Sequence, residues 1–172
     1  MLSFCWTIGV FGNTLVVMEK NEDYIAVHRV LEQTKLKDVM TTNVISVHEN
    51  EHLSVVYQIL KEKKFRHIPV VDDAKHLVGL MTEREFFKNV TPHRLEDGTI
   101  HYDSYQLDRF ILRHLMIKEP FTLVQDDSLA TAVVAMSKSK YGCVPVIDES
   151  RQVVGIITQA DILKIAASFV QS

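Results

Sequence analysis

Two Thr-x-x-acid turns hold the residue types in this chain best suited to binding chemistry. One is Thr158-Gln-Ala-Asp161, closing the stretch 153–161 (VVGIITQAD); the other is Thr82-Glu-Arg-Glu85, closing 77–85 (LVGLMTERE). In each, a short apolar strand containing a glycine runs into a threonine, and an acid three positions on opens a helix. A helix start presents unsatisfied N–H groups and a positive dipole end to an anion. A carboxylate accepts hydrogen bonds from paired hydroxyls. The same pattern is equally a capping box, in which the threonine and the acid satisfy each other's backbone N–H groups. Glutamate is the better capping acid, and its longer side chain has to fold back to meet a diol. Capping is therefore the favoured reading of Thr82 and Glu85.

The elements that must position these turns are duplicated. At an offset of 76 residues, Leu36 matches Leu112, Met40 matches Met116 and Leu53 matches Leu129. The same offset matches Pro69 with Pro145, Asp72 with Asp148, Gly79 with Gly155 and Thr82 with Thr158, with no gap. A register held over so long a stretch marks two copies of one unit. Each reads as a helical turn (36–40; 112–116), a strand (44–47; 121–124), then a helix. Apolar residues at Leu53, Val56, Tyr57 and Leu60, and at Leu129, Ala132, Val133 and Met136, give each helix one buried stripe. Asn50, Glu51, Asp126 and Asp127 are placed to cap these helices. The strands 67–71 and 143–147 each hold a proline at their third residue, which predicts a strand start or an edge. Turn residues follow at 72–75 and 148–151, then a strand into the threonine and a final helix. The order is β-α-β-β-α, twice.

Between the repeats, 91–111 is polar, with a loop first and a helix predicted around Tyr105, Leu107, Phe110 and Ile111. Ahead of them, 21–34 is predicted to be a helix, with Tyr24, Val27, Val30 and Leu31 on its packed face. Residues 1–18 carry no charge. They lack the positive start of a signal peptide and are diluted by Ser, Thr, Gly and Asn. The stretch reads as an added strand or hairpin, or as a start upstream of Met18. A membrane anchor is the rival reading.

The chain has 172 residues and a formal net charge of −3. Its apolar-to-charged balance is that of a globular protein with a real core. No basic run is present, which argues against a nucleic-acid binder. Cys5 and Cys143 have no metal-ligand spacing and point to a reducing, cytoplasmic setting. His48 and His52 lack the further ligands of a metal site. No nucleophile elbow, HExxH or P-loop occurs, so no enzyme is predicted.

A tandem β-α-β-β-α repeat carrying HIPVVD or CVPVID, then GLMTEREF or GIITQADI, resembles the CBS domain, two of which form a CBS pair or Bateman module. The resemblance covers 36 to about 167. It divides the chain into an extension (1–35), motif 1 (36–90), a linker (91–111) and motif 2 (112–168). It implies an α+β, α/β-like fold whose repeats pack with pseudo-two-fold symmetry and leave two clefts. It further implies a stand-alone regulatory module binding an adenosyl compound such as AMP, ADP, ATP or S-adenosylmethionine, with no required cofactor. In the family, the threonine hydroxyl meets phosphate and the acid holds the ribose, which falls here on Thr158 and Asp161. Basic residues before the Pro-Val strand contact phosphates, which falls on Arg66 and His67 from the other repeat; the alternative is a solvated arginine and a half-buried histidine. Gly142 and Cys143 replace them in the second repeat and leave room for a base. Pro120, Phe121 and Thr122, with Val144 and Pro145 opposite, are the expected apolar walls. The family also implies a homodimer and a separate effector. The rival is a partner-docking module that binds no nucleotide, its clefts filled by Arg66, Phe121 and Met81. A third reading is an accessory subunit anchored through 1–18.

Overall fold

The computed structural model describes the backbone of residues 6–11, 14–19, 22–63 and 65–170, with side chains from residue 25 on. Strands β1 (Trp6–Phe11) and β2 (Thr14–Glu19) pair antiparallel, and helix α1 (Glu22–Gln33) follows. The first repeat is α2 (Leu36–Val39), β3 (Val47–His48), α3 (Leu53–Lys63), β4 (His67–Val71), β5 (Leu77–Thr82) and α4 (Glu83–Asn89). A small hairpin, β6 (His93–Arg94) and β7 (Ile100–His101), and a short helix α5 (Ser104–Leu107) connect the repeats. The second repeat opens with a 3-10 turn at Leu112–His114. It continues as β8 (Ile117–Lys118), β9 (Leu123–Val124), α6 (Leu129–Ser139), β10 (Cys143–Ile147), β11 (Val153–Thr158) and α7 (Gln159–Val170). The fold is α+β.

One sheet has the order β3-β4-β5-β8 and the other β11-β10-β9. Each repeat lends its opening segment to the other. Ile117 and Lys118 pair with Leu80 and Gly79 on β5. In the mirror position, Thr41 and Ile156 exchange backbone hydrogen bonds of 3.0 and 2.9 Å. Leu36 N–H donates to the Asp127 carbonyl (3.0 Å) and Leu112 N–H to that of Glu51 (2.9 Å). His76 bridges its own counterpart, Gln152. These reciprocal contacts make the packing pseudo-two-fold.

The strand glycines explain how the exchange closes. A Cβ on Gly79 would run into the Met116 thioether, and one on Gly155 into that of Met40. Each glycine is the seat for the other repeat's methionine, and the absence of a side chain lets the segment approach the strand. Leu53, Val56, Ile68, Val70, Met81 and Phe86 fill the first core, and Leu129, Ala132, Met136, Val144, Val146 and Ile157 the second. The turns bring Lys75 and Arg151 to φ of 67° and 61°. Asp72 and Asp148 accept backbone N–H groups from His76 (2.8 Å) and Gln152 (2.9 Å) across them.

Several expectations need correction. Val27 and Val30 on α1 are 45% and 39% exposed, and it is Leu31 that packs on the second core; the Tyr24 side chain lies outside the described residues. So do residues 1–5, 12 and 13 and every side chain of the apolar N-terminal stretch. The strands foreseen at 44–47 and 121–124 shrink to Val47–His48 and Leu123–Val124, because the residues before them are still crossing from the other repeat's sheet. Pro69 and Pro145 stand in central strands, not edges. Their parallel neighbours pair only from Val70 and Val146 onward, so that flank of each proline has no ladder to break. Ser128, rather than Asp126 or Asp127, caps α6 by accepting from Thr131 N–H (3.2 Å). The linker helix ends at Leu107, and Ile111 bridges extended to His52.

Candidate functional site

At the end of β11, the Thr158 N–H and hydroxyl both donate to Asp161 Oδ2, at 2.9 and 2.7 Å, and the Asp161 N–H donates back to Thr158 Oγ1 at 3.3 Å. The cap is therefore complete in both directions. It also fixes the carboxylate: the Asp161 side chain is only 12% exposed, and Oδ1 meets Lys164 Nζ at 3.6 Å. One oxygen is committed to the turn; the other has, among the described residues, a single solvent-exposed ammonium nearby. The Thr158 hydroxyl proton is committed as well, and the N–H groups of Thr158, Gln159 and Asp161 are themselves bonded, to Asp161 Oδ2, the Gly142 carbonyl and Thr158 Oγ1.

The first repeat builds half of this. Thr82 Oγ1 accepts from Glu85 N–H at 3.1 Å, but the Glu85 carboxylate turns to Lys88 Nζ at 2.6 Å. The extra methylene carries Glu85 past the threonine toward the lysine one turn along. The capping expected of Thr82 is present. The return half expected of Glu85 is made by Asp161 instead, whose shorter side chain suits it.

Arg66 and His67 enter from the first repeat at the start of β4. A Cβ on Gly142 would lie 2.5 Å from His67 Nε2, so the room expected beside Gly142 holds an imidazole. Burial, reinforced by the neighbouring Arg66 guanidinium, pushes the His67 pKa down. The Arg66 side chain is exposed and has no hydrogen-bond or ion-pair partner among the described residues. Cys143 sits opposite Thr158 in register and packs with Leu80 and Ile156; burial pushes its thiol up to about 12. Val144 is fully buried and Pro145 is buried, and Val144 and Cys143 both belong to core clusters.

The remaining wall residues divide. Phe121, 41% exposed, stacks on Tyr141 with centroids 5.6 Å apart and planes 17° from parallel. The Tyr141 carbonyl accepts from Gln159 Nε2 at 3.2 Å, which ties this pair to the first turn of α7. Pro120 and Thr122 instead line a cavity of about 290 Å³ with Leu77, Glu119, Ile147 and Arg151. A larger neighbour of about 620 Å³ shares Leu77, Glu119 and Arg151. Neither is lined by Thr158 or Asp161. Sequence reasoning overlooked Thr41 and Val44: Thr41 is bonded to β11 at Ile156, and Val44 packs against Leu80, Cys143 and Ile156. The offset pairs Thr41 with Ile117, but nothing in it says that the segments change places.

Among the described residues no cluster of His, Cys, Asp and Glu can hold a metal ion, and no helix is long and apolar enough to cross a membrane. His48 Nε2 bonds Asp73 Oδ1 at 2.9 Å.

The family model described as CBS domain matches residues 36–91 and 112–168. The CBS domain pair of protein MJ0100, solved in complex with 5′-methylthioadenosine and S-adenosyl-L-methionine, is 26% identical, with a TM-score of 0.64 over 78% of this chain and 97% of that one. CBSX2, solved in complex with AMP, shares the fold at 20% identity, with a TM-score of 0.64 over 79% of this chain and 98% of that one. A homoserine O-acetyltransferase of Methanococcoides burtonii is 25% identical over 152 residues, which is 88% of this chain and 28% of the enzyme. The chain thus spans under a third of that relative's length. With both repeats matched and the exchanged packing in place, the chain belongs to the CBS domain family and carries two copies as a tandem pair.

Proposed function

We propose that this CBS pair is a regulatory module that takes an adenosyl compound at the Thr158–Asp161 turn of its second repeat. The observation that carries the reading is the Asp161 carboxylate, nearly buried yet held through one oxygen, with Lys164 the sole partner of the other among the described residues. A preset acceptor of this kind suits the two hydroxyls of a ribose. Arg66, just ahead of β4 and without a hydrogen-bond or ion-pair partner among the described residues, would meet phosphates from the other repeat, and His67, largely neutral, would donate or accept a hydrogen bond rather than supply charge. Thr82 and Glu85 serve as a helix start. The adenosyl ligands of the MJ0100 pair support this ligand class. Binding then acts on an effector through its different affinity for two arrangements of the repeats. A second copy of this chain is the proposed partner, supported by Phe87 on α4 and Leu163 on α7, which are equivalent residues and 50% and 68% exposed.

Thermal unfolding with AMP, ADP, ATP, S-adenosylmethionine and 5′-methylthioadenosine, with GTP as control, tests this. At a hundred times Kd a ligand adds about 2.7 kcal/mol, roughly 5–10 °C for a chain of this size. Because Asp161→Ala also removes a cap, the quantity to compare is the ligand-induced increment, which the substitution should abolish. No increment with any adenosyl compound favours the docking reading. For that reading the supporting observation is His67 already lodged beside Gly142.

A further inference from the structure

The two adjoining cavities lie at the other end of the strands from Thr158, beside the turn that carries Arg151. The larger is lined by Arg113, Lys118 and Arg151 together with Glu49 and Glu119. Arg113 is already oriented: its Nη1 donates to Asn50 Oδ1 at 2.7 Å, and its Nε to His114 Nε2 at 3.4 Å. The side chains of Lys118, Arg151, Glu49 and Glu119 have neither a hydrogen bond nor an ion pair among the described residues. Charges of both signs thus face one cavity without neutralising each other. A simple oxyanion placed here answers the cations and leaves two carboxylates opposed to it; a simple cation does the reverse. A small zwitterion answers both.

Glu119 adds an independent observation. Its φ is 47°, an uncommon conformation for a residue other than glycine, and it directly precedes Pro120, which restricts it further. Its counterpart Asn43 does not adopt a positive φ. Strain of this kind is concentrated at binding sites, and Glu119 lies where the chain leaves the first repeat's sheet at β8 for the second's at β9. Met116 gives the cavity an apolar wall, and about 620 Å³ is an ordinary size for a small-molecule site.

We propose that this cavity binds a free α-amino acid, its carboxylate on Arg113, Lys118 and Arg151 and its ammonium on Glu49 and Glu119. Arginine forks match a carboxylate in two-pronged fashion. Because Glu49 belongs to the first repeat and the cations to the second, the ligand bridges the repeats and works independently of the Thr158–Asp161 turn.

The test is thermal unfolding of the full chain against the proteinogenic L-amino acids at millimolar concentration. The best of them is then compared with its 2-oxo acid, its decarboxylated amine and inorganic phosphate. The expected result is a rise of several degrees with an amino acid and none with the three controls. Arg151→Ala and Glu119→Gln should each weaken that response roughly tenfold in concentration, while the midpoint without ligand stays near its starting value, both residues being exposed. The proposal is overturned if no amino acid raises the midpoint, if phosphate or the oxo acid does so as well, or if the response survives both substitutions.

Discussion

The His67 imidazole occupies the place a side chain on Gly142 would take: a Cβ there falls 2.5 Å from Nε2 and 3.0 Å from Cε1. The start of β4 in one repeat is thereby pressed against the start of β10 in the other. Gly142→Ala forces the ring to move and should lower stability by about 1–3 kcal/mol, the usual penalty of overpacking. Adding His67→Ala should recover part of that loss. A double-mutant cycle measured by urea unfolding checks it; strictly additive losses would mean that the two residues do not share this space.

The same contact sets a pH dependence. The unfolded imidazole titrates near 6.5, and burial lowers the folded value. The fold therefore favours the neutral ring. Its contribution is fully present above about pH 6.5 and is lost as the pH falls through the lowered folded value. Unfolding midpoints measured from pH 8 down to pH 5 should fall more steeply for the wild type than for His67→Gln. Parallel curves would remove His67 as the cause.

The two Thr-x-x-acid turns should respond unequally. Asp161→Ala breaks a cap made in both directions and should cost about 1 kcal/mol. Glu85→Ala removes a carboxylate that faces an exposed lysine and should cost less than about 0.5 kcal/mol. Equal losses in denaturant titrations would contradict the asymmetry.

Cys143 is 5% exposed, with its thiol pushed up to about 12. Thiolate is the reactive form. In a Cys5→Ser background, a thiol reagent should leave the folded protein unmodified at neutral pH and label one site after denaturation. Fast labelling of the folded chain would show that the β10 start opens.

The duplicated order of elements was legible because each helix carries its own apolar stripe and each strand its own turn residues. Val56 and Ala132 are buried where the periodicity placed them, and Asp72 and Asp148 close their turns. What stayed hidden depends on which repeat a residue touches. Gly79 and Gly155 are visible as strand glycines, but their purpose is a methionine from the opposite repeat. The expected wall residues Pro120 and Thr122 are placed by the same exchange: they follow a segment that pairs with β5, whereas Thr41 and Val44 lie against β11. On α1, Val27 and Val30 keep helical spacing yet stay 45% and 39% exposed, and periodicity alone gives no sign of that.

The exchanged opening segments make each repeat incomplete by itself. A fragment holding one repeat would present Leu36 or Leu112 with no carbonyl to bond and leave Leu80 or Ile156 as the last rung of an open edge. Since the two sets of bonds are equivalent, a half-length chain could satisfy them by pairing with another of its own kind. The long chain is in this sense a dimer of halves joined end to end, and the linker keeps the mutual donation within one molecule.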